Sequence, residues 1–291
     1  MFITIYKGYG YFEYIGENEL SRDLKKHMVN IRKLAKYYIK HQTNIQMTTL
    51  MEENMSNLKK KFEFLEDGID FPFYNDNPKL STREWGLIAI ALIIFTVLCF
   101  IKGIPKTIHA ALYFLVMIIP AIYICKGNYS LFFKKPKLRD IITIVLCLVG
   151  YLVYSILVFA TLSSLGYQMA NNASSALNIN LMFYVTMLFQ LVGEEFFKIF
   201  ILLIVMYLVY KSTNNRNLSI YIGIIATLLV FGLAHFAAYD GRILQVLLIQ
   251  GLGTIFNLYA YMKTKNFIVT YIIHVLIDSF SFMSSALVLL F

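Results

Sequence analysis

Acidic side chains almost vanish from this 291-residue chain after Trp85, where only five of its 17 Asp and Glu remain. Charge of either sign is scarce overall, with charged residues at 15% against 58% hydrophobic and a mean hydropathy of +0.64. That balance excludes an ordinary soluble domain and points to a polytopic membrane protein. Cysteine is also sparse, and Cys99, Cys125 and Cys147 all lie in apolar runs, so neither a disulfide framework nor a Cys-rich zinc site is indicated. No cleavable signal peptide is visible, because the first long apolar run begins near Trp85. No internal repeat or low-complexity tract redirects the reading.

What is present divides the chain into three parts. Residues 1–84 hold twelve of the acids and form a charged N-terminal region. Apolar residues recurring at Leu20, Leu24, Ile31, Leu34 and Tyr38 predict amphipathic helix between residues 20 and 65. A short β-hairpin is expected over Phe2 to Tyr14, and residues 67–82, with Gly68, Pro72 and Pro78, read as a linker. Residues 85–139 supply the first membrane helices and a basic loop, and residues 140–291 the remaining helices. Runs of roughly 20 apolar residues predict about seven spans, at 86–103, 105–125, 140–162, 181–210, 218–238, 243–262 and 267–290. The expected fold is therefore an all-α transmembrane bundle.

Basic residues set the expected orientation. Lys126, Lys134, Lys135, Lys137 and Arg139 crowd one loop, Lys211 and Arg216 a second, Lys263 and Lys265 a third. Seven alternating spans put all three on one side, which the positive-inside rule assigns to the cytoplasm together with the N-terminal region. The net charge of +9 thus finds its partner in anionic headgroups of the bilayer, and no nucleic acid is implied.

Three of the five late acids, Glu194, Glu195 and Asp278, fall inside apolar runs. A carboxylate at bilayer depth is costly and normally serves a polar cavity. On a helix, Gln190, Glu194 and Lys198 share one face, and Lys198 is within reach of either glutamate. An ion pair that merely locks two helices accounts for one carboxylate and leaves the other to be explained. A lone His235 or His274 is more often structural than catalytic. His274 and Asp278, however, continue to Ser281 and Ser285 as a stripe that must turn inward. A second stripe, Gln250, Thr254, Asn257 and Tyr261, predicts a hydrated interior shared by four helices.

The order Glu194-Glu195-x-x-Lys198, Phe231-x-x-x-His235 and His274-x-x-x-Asp278 resembles the CAAX-protease and bacteriocin-processing superfamily of glutamic intramembrane proteases, also called the Abi family. The first and third motifs have PrsW-type form, the second CAAX-type form, and the likeness covers about residues 140–291. The resemblance implies an intramembrane endopeptidase in which Glu194 and His235 activate water. It further implies that His274 and Asp278 stabilise the oxyanion, with Asp278 orienting His274. Glu195 joins the catalytic set, and Lys198 and Asn257 support it. It implies a membrane-embedded or membrane-associated peptide or protein as substrate, and the richness in Ile, Lys, Asn and Tyr points to a bacterial cytoplasmic membrane. No cofactor is expected, a zinc ion held by Glu194 and the histidines being the rival within this reading. From a different class, a transporter or immunity protein could use the same carboxylates as a proton or ion relay.

Depth poses a difficulty for that constellation. With helix ends at 181, 238 and 267, Glu194 lies roughly 20 Å from the outer end of its helix and His235 only about 5 Å from its own. His274 lies about 10 Å from the opposite end of the last helix. Strong tilt, or a broken segment, is needed to bring them together.

Overall fold

The computed structural model describes residues 29–42, 64–65, 68–170 and 180–288, with side chains to Phe282. The hairpin expected over residues 2–14 lies outside them, as does most of the amphipathic stretch. The chain forms two compact units, Met1–Phe62 and Glu63–Phe291. Within the first, residues 29–42 form helix α1, every residue of which is exposed.

The second unit contains helices α2 (Thr82–Phe100), α3 (Lys106–Cys125), α4 (Leu138–Ser164), α5 (Leu181–Thr213) and α6 (Arg216–Ala234). It ends in α7 (Ile243–Thr264) and α8 (Phe267–Val288). No strand occurs among the described residues. A helix stands at each of the seven expected spans, and five of them, α2, α3, α4, α6 and α7, are long and apolar enough to cross a membrane. The protein is thus a polytopic helical bundle embedded in a lipid bilayer. The helices differ in what surrounds them. α5 is buried without interruption from Gly193 to Leu203, whereas α4 presents Leu138, Ile142 and Leu146 outward. A helix apolar on every side and buried on every side is the centre of the bundle, so the two glutamates sit where other helices, and not lipid, surround them.

The ends of these helices explain why they stop. Ser81 and Glu84 form a reciprocal capping box at the start of α2, which satisfies two orphan amides. The other Glu84 oxygen meets Lys126 at 2.8 Å. α3 and α7 end on Lys126 and Lys265 in the left-handed conformation.

The basic loops gather at one end of the bundle. Lys126 pairs with Glu84 there, and Asn266 holds the Lys134 backbone through both its amide groups, at 3.2 and 2.9 Å. Residues 63–84, grouped above with the N-terminal region, belong to this unit. Phe71, Phe73, Tyr74 and Leu80 are buried, Lys265 donates to the Phe64 carbonyl and lies 4.6 Å from the Phe71 ring, and Arg216 grips Asp70 at 2.6 Å. Burying each apolar side chain is worth about 1.5–3 kcal/mol and the partly exposed ion pair at most about 1 kcal/mol. Packing, and not charge, therefore holds this segment to the bundle.

Candidate active site

The difficulty of depth disappears because α6 is short. α5 has 33 residues and α6 only 19, and the two are joined at Asn214–Asn215. Counted from that turn, Glu194 is 20 residues back and His235 20 residues forward, which puts them at one level. The helix expected to run to residue 238 stops at Ala234, with His235 as its C-cap. The chain then turns back into α7, which is not a regular helix. Val246–Gly251 is a π-helix and Leu252–Thr254 a 3-10 turn, a break that lies on a helix carrying none of Glu194, His235 and His274. Close approach fixes this corner. A Cβ on Gly232 would stand 2.8 Å from the Val246 carbonyl oxygen and 3.0 Å from the Gly251 Cα. On α5, a Cβ on Gly193 would stand 2.5 Å from the Tyr113 carbonyl oxygen, so the residue before Glu194 lets α3 and α5 touch backbone to backbone, as small residues do between membrane helices.

Glu194, His235, His274 and Asp278 line one cavity of about 330 Å³. One oxygen of Glu194 accepts from Gln190 Nε2 at 2.8 Å. The other, Oε2, lies 4.0 Å from His235 Nε2 and 3.8 Å from His274 Nε2. These distances exceed a direct hydrogen bond and leave room for one water touching both partners. His235 N–H bonds to the Gly232 carbonyl, which leaves the Phe231 carbonyl free at the helix end. The ring Nδ1 takes that carbonyl at 2.8 Å. Because a carbonyl only accepts, Nδ1 carries the proton, and in the neutral ring Nε2 presents its lone pair to the cavity.

Glu195 has a different place. It is fully buried and does not line the cavity. Its Oε1 receives Lys198, lies 2.7 Å from His274 Nδ1 and is 3.4 Å from Asn257 Nδ2. Its Oε2 accepts from Thr270 Oγ1 at 2.8 Å. Lys198 Nζ also lies 3.4 Å from His274 Nδ1 and 4.8 Å from the Phe231 ring. The side chain that holds the His274 ring by Nδ1 is therefore Glu195. The sequence reading assigned that task to Asp278, which instead stands 3.9 Å from Nε2.

The stripe expected on α7 does not share one face. Gln250 lines the cavity and donates to Tyr239 Oη at 2.7 Å. Thr254 turns back to its own helix, Asn257 reaches Glu195, and the buried Tyr261 hydroxyl has no hydrogen-bond partner among the described residues. The π and 3-10 turns shift the phase that a regular period assumes. On α8, Ser281 reaches the cavity, and the Ser285 side chain lies outside the described residues. Thr270 was missed, although its signal was legible: it precedes His274 by four residues, on the stripe that continues to Asp278. Among the described residues, no group of three His, Cys, Asp or Glu is arranged to hold a metal.

A family model described as type II CAAX prenyl endopeptidase Rce1-like matches residues 176–280, which span all three motifs. No curated protein and no solved structure matches the chain. On this match and the cluster of Glu194, His235 and His274 within it, residues 176–280 belong to the CAAX-protease and bacteriocin-processing superfamily.

Proposed function

We propose that this protein is an intramembrane endopeptidase that hydrolyses a membrane-associated peptide with a water held between Glu194 and His235. The observation that carries the reading is the gap of 4.0 Å between Glu194 Oε2 and His235 Nε2, inside a cavity they share with His274. One hydrogen of the water points to the carboxylate, the other to the histidine lone pair. Glu194 takes the first proton as the oxygen attacks the scissile carbonyl, and returns it to the leaving amine. His235 holds the water through the second. His274, with Nδ1 facing Glu195 and Lys198, donates to the oxyanion from Nε2. Asp278 stands beside that nitrogen, and Glu195 with Lys198, Thr270 and Asn257 keeps the ring in place. The scheme needs no metal.

The cavity walls suit an apolar chain, since Phe95, Phe183, Met187, Leu191 and Phe282 line it beside the polar cluster. The matched family's description, an endopeptidase, supports peptide-bond hydrolysis. A proton relay receives less support, because toward the basic end the cluster is closed by rings: Phe196 stacks on Phe267 at 4.3 Å and meets Phe132, Phe133 and Phe200. The test is cleavage of fluorogenic membrane-anchored peptides by the protein in proteoliposomes, with and without a strong chelator. Cleavage that persists in chelator supports the metal-free scheme. Loss that zinc restores would replace it, and no cleavage of any such peptide would remove the protease reading.

A further inference from the structure

Helix α1 exposes every one of its residues, yet its side chains are sorted into two faces. At about 100° per residue, Ile31, Leu34, Ala35, Tyr38 and Ile39 fall within a sector of about 140°, and Lys33, Lys36 and Lys40 within roughly 60° on the opposite side. Arg32 stands at one border between the faces, and Tyr37 and His41, whose rings meet edge to face at 5.6 Å, at the other. Only the end residues Val29 and Gln42 fall on the face of the other kind. The apolar face is costly to leave in water, because Ile31, Leu34 and Tyr38 are 52%, 61% and 68% exposed. The polar face carries one sign of charge, since no Asp or Glu occurs between Asp23 and Glu52. α1 ends at residue 42 and the second unit begins at Glu63, so even an extended chain carries it no further than roughly 75 Å from helices embedded in lipid.

We propose that α1 lies in the surface of the same bilayer, with its Ile31, Leu34 and Tyr38 face sunk toward the acyl chains and its lysines among anionic headgroups. A second copy or a partner protein would also cover the apolar face, but neither accounts for three lysines aligned along the other. A helix at a lipid surface does, because its lysine stems reach up past the apolar face to the headgroups. Each such lysine strengthens binding to anionic lipid about fivefold. The inference does not depend on catalysis and stands whether or not the protein cleaves peptides.

An environment-sensitive fluorescent amino acid placed at Leu34, and in a second protein at Lys36, tests this in the full chain, reconstituted one copy per nanodisc with a quencher on the lipid acyl chains. With phosphatidylglycerol in the disc, the probe at Leu34 should be blue-shifted and quenched and the probe at Lys36 should not. In phosphatidylcholine alone, or in about 1 M salt, which screens surface charge, quenching at Leu34 should fall. Lys33→Gln/Lys40→Gln should lower the ratio of quenched to unquenched helix roughly 25-fold. An unchanged unfolding midpoint in detergent shows that the labelled proteins are folded, and a probe at Ile31 serves if the one at Leu34 is not tolerated. Equal quenching at the two positions would overturn the proposal, as would quenching at Leu34 indifferent to phosphatidylglycerol and salt. A blue shift without quenching would give the apolar face to a protein partner instead, and a probe at Leu34 that reports water in every lipid would leave no docked helix at all.

Discussion

Two glutamates adjacent in sequence have unlike tasks, and the division comes from the helix turn between them. Glu194 faces the cavity with one oxygen that takes no direct hydrogen bond among the described residues, whereas Glu195 faces inward and is saturated by Lys198, His274, Thr270 and Asn257. Substitutions should separate them. Lys198→Met leaves Glu195 short of its cation in a buried site and should cost about 3–5 kcal/mol, read as a lowered unfolding midpoint in detergent. Glu194→Gln keeps size and the contact with Gln190, and should leave that midpoint nearly unchanged while cleavage falls roughly 10²–10⁴-fold. A folded Glu194→Gln protein with full activity would end its assignment. The paired acids, both histidines and Lys198 were legible in the sequence because charge in an apolar run is conspicuous. Which acid serves which histidine was not, since that depends on the rotation of α5 against α8.

Among elements, the end of α6 matters most. Phe236, Ala237, Ala238 and Tyr239 prolong the apolar run beyond the last helical turn. Composition therefore reports a longer helix, while the backbone has already left the helix for a turn over residues 235–241. Gly232 holds that end against the π-helical part of α7, so Gly232→Ala should push His235 off its level. We expect about 1–3 kcal/mol of destabilisation from the forced contact, together with a loss of cleavage larger than the same destabilisation causes at Gly223 on the same helix. There the nearest obstacle is the flexible Leu202 side chain at 3.0 Å. The docked segment before α2 gives a pH dependence. Burial pushes the Asp70 carboxyl upward, but hydrogen bonds from Arg216, Tyr74 and the Phe71 amide outweigh it and hold the group below its ordinary value. A depressed carboxyl stabilises the fold above its unfolded value of about 3.9 and loses that contribution as pH falls through the folded value. Asp70→Asn should therefore lower the unfolding midpoint at neutral pH, by about 1 kcal/mol, and the gap to the wild type should close in acid below about pH 4.

The bundle has one end crowded with basic loops and one with fewer charges, and the candidate cavity reaches toward the second through Lys102, Lys106 and Ala237. The seven helices were legible because bilayer thickness dictates their length, whereas the order of burial, with α5 central and α4 peripheral, was not, since both runs are equally apolar. The basic loops predict a sidedness: cysteines placed at Lys79 and Lys135 should react only with a reagent supplied from the cytoplasm, and one at Asp240 only from outside. Labelling of Lys79 and Lys135 from opposite sides would break the alternation. The central claim is that Glu194 and His235 act on one water, and a double-mutant cycle on cleavage rate tests it most directly. If they work as a unit, Glu194→Gln/His235→Ala should be scarcely slower than the slower single variant. Independent, multiplying losses in the double variant would contradict a shared water and with it the proposed mechanism.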